Sequence, residues 1–280
     1  MIQLGVHTDN WRTLSGSFEK ACEVTVACGL KHIEFAVIDG QYFINAMGYD
    51  PSVSLESNPR ALRHYLDGMG LGVSQIDSAF PMMGPKGSSH GVRYVQQGIR
   101  FAAEIDCPMV DTTDGAFEIE GLSREEVFRI TCDNYRQVLP WAEDYEIIIN
   151  VEPHGPYTSD VDFMTRLFEH FDSDYLGLNM DTGNSFIAGL DPLEYMKTFR
   201  DKLTHMHIKD VSESLAAALR GEETGIATSE VPIGGGVNAD NIRACMAYLK
   251  ETDWSGAVSI ECYGSDENTK KSVEFMQEII

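Results

Sequence analysis

The chain has 280 residues, 43% of them hydrophobic and 23% charged, enough to close one large core. Acidic side chains (44) outnumber basic ones (21), and the formal charge of −23 makes a surface that repels nucleic acid and anionic membranes. No apolar run reaches the roughly 18 residues of a membrane span, the N-terminus MIQLGVHTDNW lacks the basic-then-apolar form of a signal peptide, and six scattered cysteines without a Cys-x-x-Cys pair read as reduced thiols of a cytoplasmic protein.

Short apolar runs alternate with amphipathic segments from end to end. IQLGVH (2–7) predicts a strand, and SFEKACEVTVACG (17–29) a helix that Gly29 stops. HIEFAV (32–37) is the second strand, followed after a long loop by the helix PRALRHYLDGMG (59–70). GVSQIDSA (72–79) is the third, with GVRYVQQGIRFAAEID (91–106) behind it. MVDTTD (109–114) and the helix 124–145 make the fourth unit, IIINVEPH (147–154) and the helix 160–171 the fifth. LGLNMD (176–181) with 192–201, and LTHMHIKD (203–210) with 238–253, are the sixth and seventh. AVSIECYG (257–264) and KKSVEFMQEII (270–280) close the chain.

Eight strand–helix units without a break in composition predict a single α/β domain over 1–280, a (β/α)8 TIM barrel. No Gly-rich dinucleotide fingerprint follows the first strand, which argues against a doubly wound sheet. Two linkers, 39–57 and 211–237, are long and would lie at the catalytic rim as lids or partner surfaces.

In such a barrel chemistry sits where the strands end, and residues two apart on a strand share a face. The fifth strand then offers Asn150, Glu152 and His154, the sixth Asn179 and Asp181, the seventh His205 and His207, the eighth Ser259, Glu261 and Tyr263. Singly, each has a structural reading: Glu152 and Asp181 as helix caps, His207 as a core histidine, Glu261 as a lysine partner. Together Glu152, Asp181, His207 and Glu261 end four successive strands, and close carboxylates repel unless a cation holds them. Three carboxylates and an imidazole suit one divalent cation, Mn²⁺ first, with Mg²⁺, Co²⁺ or Zn²⁺ as the other candidates.

The stretches VEPHG, MDTGN, HMHIKD and SIECYG resemble the sugar isomerase/epimerase superfamily, the xylose-isomerase-like barrels, and so do HIEF with Glu34 and VPIGGGVNADNI. The resemblance covers nearly the whole chain. It implies metal ligation by Glu152, Asp181, His207 and Glu261, with Glu152 and Glu261 also serving as acid and base. It also implies proton abstraction next to the carbonyl of a keto-sugar through a metal-stabilised enediolate, giving epimerisation or isomerisation. Asn184 stands where ketose epimerases of this superfamily usually carry a histidine; an amide does not titrate, so a substrate contact survives the change and a proton relay does not. The loop LAAALRGEETGIATSE together with EPHG resembles a branch acting on 3-oxo-glycosides, lyases and the metal-binding subunit of C-glycoside deglycosidases. That branch implies the alternative outcome, elimination with His154 as base, and a complex with a small second subunit.

His7, Glu34, Asn184 and Lys209 are the expected substrate contacts, with Trp11 available to stack on a sugar and Asp77, Asp111 and Asp114 at neighbouring strand ends. The expected partner is a neutral sugar or glycoside. Homo-oligomers are common among such barrels. A multi-zinc nuclease on the same barrel would need more histidines and a basic face, and the charge of −23 argues against it.

Overall fold

The computed structural model describes residues 1–14, 16–39, 51–115, 117–222, 227–228 and 230–280. Part of each expected rim loop, residues 40–50 and 223–226, therefore lies outside the described residues.

Among the described residues nine strands run in chain order: β1 Ile2–His7, β2 His32–Ile38, β3 Val53–Ser54, β4 Gly72–Pro81, β5 Met109–Thr113, β6 Ile148–Val151, β7 Leu176–Asp181, β8 Leu203–Ile208 and β9 Gly256–Ile260. All pairings are parallel, and the order β1-β9-β8-β7-β6-β5-β4-β2 is closed by pairing of β1 with β2. Two-residue β3 adds to the far end of β2, inside the expected 39–57 loop. The alternation of apolar strands and amphipathic helices has thus produced the closed barrel, the arrangement that covers both faces of a parallel sheet.

Helices α1 Phe18–Ala27, α2 Pro59–Met69, α3 Gly84–Lys86, α4 Val92–Glu104, α5 Arg124–Tyr145, α6 Val161–Phe171, α7 Thr182–Ile187, α8 Pro192–Thr198, α9 Glu213–Leu219, α10 Ala239–Glu251 and α11 Asp266–Ile279 surround it. Their ends follow local chemistry. Ser17, Asn58, Ser123 and Asp160 cap α1, α2, α5 and α6 through side-chain oxygens, satisfying otherwise orphaned first-turn amides. Gly70 ends α2 in the left-handed region at φ 72°. Three helices were not anticipated: three-residue α3 after β4, α7 directly after β7, and α9 within the expected 211–237 loop.

The apolar core lies between barrel and helices, with Val6, Ile33, Phe35, Ile76, Val110, Ile149, Leu178, Met206, Val258 and Ile260 facing helical partners such as Leu66, Ile99, Tyr135 and Met164. The barrel lumen is polar instead. Gln75 on β4 bonds Glu34 on β2 (2.8 Å) and lies 3.4 Å from His205 across on β8, while Asn150 donates to Gln75 Oε1 (2.6 Å) and Asn179 Oδ1 meets His205 Nδ1 (2.9 Å). Buried polar groups are tolerated when bonded, and this network nearly saturates itself. No helix among the described residues is long and apolar enough to cross a membrane, and all six cysteines are free.

Candidate metal centre and surrounding pocket

Three of the expected strands stop early. β6 ends at Val151, β8 at Ile208 and β9 at Ile260, so Glu152, Lys209 and Glu261 are the first residues past their strands. They still converge. Glu152, Asp181, His207 and Glu261 each offer an atom within 4.8 Å of the others, and all four are buried. His207 organises the group: its Nδ1 lies 2.9 Å from Glu152 Oε1, 3.3 Å from Glu261 Oε2 and 3.9 Å from Asp181 Oδ2. Its Nε2 points the other way, 2.9 Å from Glu34 Oε1.

Asp181 is both cap and cluster member. Its Oδ1 accepts from Gly183 N (2.7 Å) and Asn184 N (2.8 Å), starting α7, while Oδ2 faces the cluster 3.0 Å from Lys209 Nζ. What reads as a Thr-Gly turn is therefore the first turn of a helix. Gly183 is needed there, because a Cβ would come within 2.4 Å of Lys209 Cβ.

The cluster carries its own internal cations. Lys209 Nζ bridges Asp181 Oδ2 (3.0 Å) and Glu261 Oε1 (2.9 Å). Burial raises the Asp181 carboxyl to about 7, with Lys209 opposing and Glu152 and Glu261 adding to the rise. Burial would raise Glu261 too, but Lys209 and His207 outweigh it and hold that carboxyl at about 2. Burial disfavours charge on His207, yet Glu34 and Glu152 lift its pKa well above the ordinary value. Neighbouring positive charge thus offsets the mutual repulsion of three carboxylates, as the chemistry of a cation site requires. Asp181 Oδ2, buried and paired with the Lys209 ammonium, adds a ligand atom. The donor set fits a hard divalent cation.

The remaining sequence candidates are spread around this centre. Glu34 is fully buried and bonded by His207 and Gln75, so it sits beneath the cluster, behind the histidine ring. Asn184 is fully buried: Nδ2 donates to Glu152 Oε1 (3.2 Å), and Oδ1 accepts from Ala227 N (2.8 Å) and faces Lys209 Nζ (3.5 Å). His7, at the tip of β1, lies edge-on to His207 with ring centroids 5.3 Å apart. His154 lies beyond the end of β6, so strand alternation does not orient it. The carboxylate of Asp114 places that segment instead, accepting from Tyr157 N (2.8 Å), Thr158 N (3.1 Å) and Thr158 Oγ1 (2.7 Å), and Thr158 Oγ1 in turn accepts from His154 N (2.8 Å). The His154 Nδ1 is buried and unpartnered, and burial followed by Lys209 lowers its pKa. Trp11 cannot stack on a sugar: it is 1% exposed, in the core, with Nε1 donating to Asp266 Oδ1 (2.8 Å). Gln75 was missed; its place two residues before Asp77 on one strand face was the available signal.

Replacing the Asn184 amide by a larger ring that cannot place donor and acceptor on one carbon should strand Glu152 or the Ala227 amide. Asn184→His is expected to destabilise the fold by about 1–3 kcal/mol, read as a shift in the urea midpoint; an unmoved midpoint would show that the site accepts the imidazole.

Comparison with known proteins agrees with this architecture. An inosose dehydratase from Geobacillus kaustophilus (strain HTA426) is 27% identical over 113 residues, 38% of this chain and 36% of that protein. An inosose dehydratase from Lacticaseibacillus casei is 23% identical over 228 residues, 77% of this chain and 73% of that protein. The chain thus spans about a third of the first relative's length and about three quarters of the second's. The crystal structure of a D-tagatose 3-epimerase-like protein superposes with a TM-score of 0.74 at 18% identity, covering 99% of this chain and 98% of that one. The family described as xylose isomerase-like TIM barrel matches residues 20–279, and with the closed eight-stranded barrel already in view, this chain belongs to it.

Proposed function

We propose that this chain is a divalent-metal-dependent enzyme that removes the proton beside the carbonyl of a keto-sugar or keto-polyol. The observation that carries the reading is the buried quartet Glu152, Asp181, His207 and Glu261 at the rim of the barrel. These four residues would hold the cation, which supplies Lewis-acid polarisation of the carbonyl and stabilises the enediolate charge. The protein's own groups do the rest. Glu34 fixes the His207 ring so that Nδ1 is presented to the cluster. Asn184 orients Glu152, and Lys209 offers an ammonium to a developing oxyanion. A general base takes the carbon-bound proton, and the electron pair left behind forms the enediolate double bond.

Elimination is the better supported fate: the bond to the β substituent breaks, and the departing group takes a proton from an acid. The two sequence relatives above are dehydratases by name. His154 supplies a buried imidazole nitrogen with no partner beside the cluster. Epimerisation is the second reading, favoured by Glu152 and Glu261, two carboxylates that approach His207 Nδ1 from the ends of β6 and β9, three places apart in the barrel, and can serve as base and acid.

The test is incubation of Mn²⁺-loaded protein in D₂O with an inosose, a 3-oxo-glucoside and a ketohexose. The expected result is deuterium at the carbon next to the ketone, or an unsaturated product, lost on chelation and restored by Mn²⁺. Full turnover after exhaustive chelation would sink the metal-dependent reading.

A further inference from the structure

On the β1–β4 side of the cluster, two buried polar groups face each other without bonding. The Asp9 amide donates to His7 Nδ1 (3.0 Å), which leaves Nε2 as the ring nitrogen that carries a proton. That N–H has no hydrogen-bond partner, although His7 is only 1% exposed. Opposite it, Asp77 Oδ2 lies at 3.6 Å, beyond hydrogen-bond range, and Asp77 Oδ1 is also unpartnered in a residue 8% exposed. Donor and acceptor are too far apart to satisfy each other, yet a single oxygen about 2.8 Å from both would satisfy them.

The surroundings narrow what that oxygen can belong to. His7 Nε2 stands 4.0 Å from Glu34 Oε1 and His7 groups with Glu261, so the gap abuts the quartet. Asp111 on β5 is in register with Asp77, fully buried, with both carboxylate oxygens unpartnered. The wall is therefore acidic on three strands. A phosphate or carboxylate would be repelled, and an ether oxygen could accept from His7 but give nothing to Asp77. A free hydroxyl does both.

We propose that His7 and Asp77 form a hydroxyl-reading subsite beside the metal centre, selecting a neutral polyol ketone that carries a free, unphosphorylated hydroxyl close to the carbons at the quartet. His7 donates to that hydroxyl, and the hydroxyl donates to Asp77. The proposal rests on the enolising reading above for the orientation of the substrate, but its recognition is read by binding alone.

The experiment is calorimetric titration of the Mn²⁺-loaded protein with methyl β-D-glucoside and myo-inositol, which have no ketone to enolise, with each monodeoxy analogue of the glucoside, and with an inositol monophosphate. The wild type should bind the neutral polyols, lose about 10- to 100-fold for one deoxy position, and show no binding of the monophosphate. In His7→Phe the penalty at that one position should fall to within about twofold, the others staying as they were. Asp77→Asn, close in shape, provides the same reading should the histidine variant not fold, with far-ultraviolet circular dichroism confirming an intact barrel. Equal binding of all deoxy analogues by the wild type, an unchanged selectivity profile in both variants, or no binding of either polyol by protein that does take up Mn²⁺ would overturn the subsite. Absent Mn²⁺ uptake with intact polyol selectivity would instead remove the metal reading and leave the subsite standing.

Discussion

Asp181→Asn is expected to lose Mn²⁺ affinity by more than the 10- to 100-fold typical of residues behind a metal ligand, while keeping the α7 cap of the wild type. The two halves of this result come from the two oxygens. Oδ1 caps α7, and asparagine caps a helix as well as aspartate does, so the amides of Gly183 and Asn184 stay satisfied. Oδ2 supplies charge to the quartet, and an amide cannot. Asp181→Ala should lose both, adding a cap penalty of about 1 kcal/mol. Glu34→Gln, which touches the quartet only through His207, should fall within the 10- to 100-fold range. Titration of chelator-treated protein with Mn²⁺, followed by electron paramagnetic resonance, reads all three. Affinity within twofold of the wild type in Asp181→Asn would show that the quartet is a salt-bridge network and not a metal site.

His154→Gln should reduce turnover by about 10²- to 10⁴-fold with Mn²⁺ content unchanged, the loss expected for a missing general base. The residue touches none of the quartet within the ion-pair range, and its backbone is held independently through Thr158 and Asp114. The expected product of the wild type is then an unsaturated or cleaved compound. If His154→Gln keeps full activity and yields a clean epimer, elimination is ruled out and the Glu152–Glu261 pair takes both proton transfers.

Periodicity was enough to place the barrel, because parallel strands covered on both faces and helices covered on one leave distinct apolar rhythms in the chain. The helix 124–145 shows this best, since a serine cap, an apolar stripe and a left-handed Glu146 define both of its ends. The convergence of Glu152, Asp181, His207 and Glu261 was legible for the same reason, as rim position follows from strand position. What periodicity could not reach depends on side-chain partners far apart in sequence. Nothing local tells that Trp11 is spoken for by Asp266, or that Asp114 serves the loop of His154. Alternation also fails once a strand ends, which is why Lys209 and His154 needed the three-dimensional arrangement to be placed. Short α7 escaped notice because six residues are too few to show a 3.6-residue period.

Beside Lys209 stands Asp210, whose carboxylate accepts from Val211 N (2.8 Å) and Asn238 N (2.9 Å) on one oxygen and from Gly234 N (2.9 Å) and Gly236 N (2.8 Å) on the other. The chain that leaves the barrel after β8 and the chain that returns to α10 are thus moored to one anchor. α9, between them, can change length or sequence while the anchor holds Lys209 in place, whereas Ala227 stays tied to Asn184, and each doubling of such a loop costs only about 0.6 kcal/mol in closure entropy. The position of Lys209 beside Asp181 and Glu261 is thereby uncoupled from the length of the segment that carries α9.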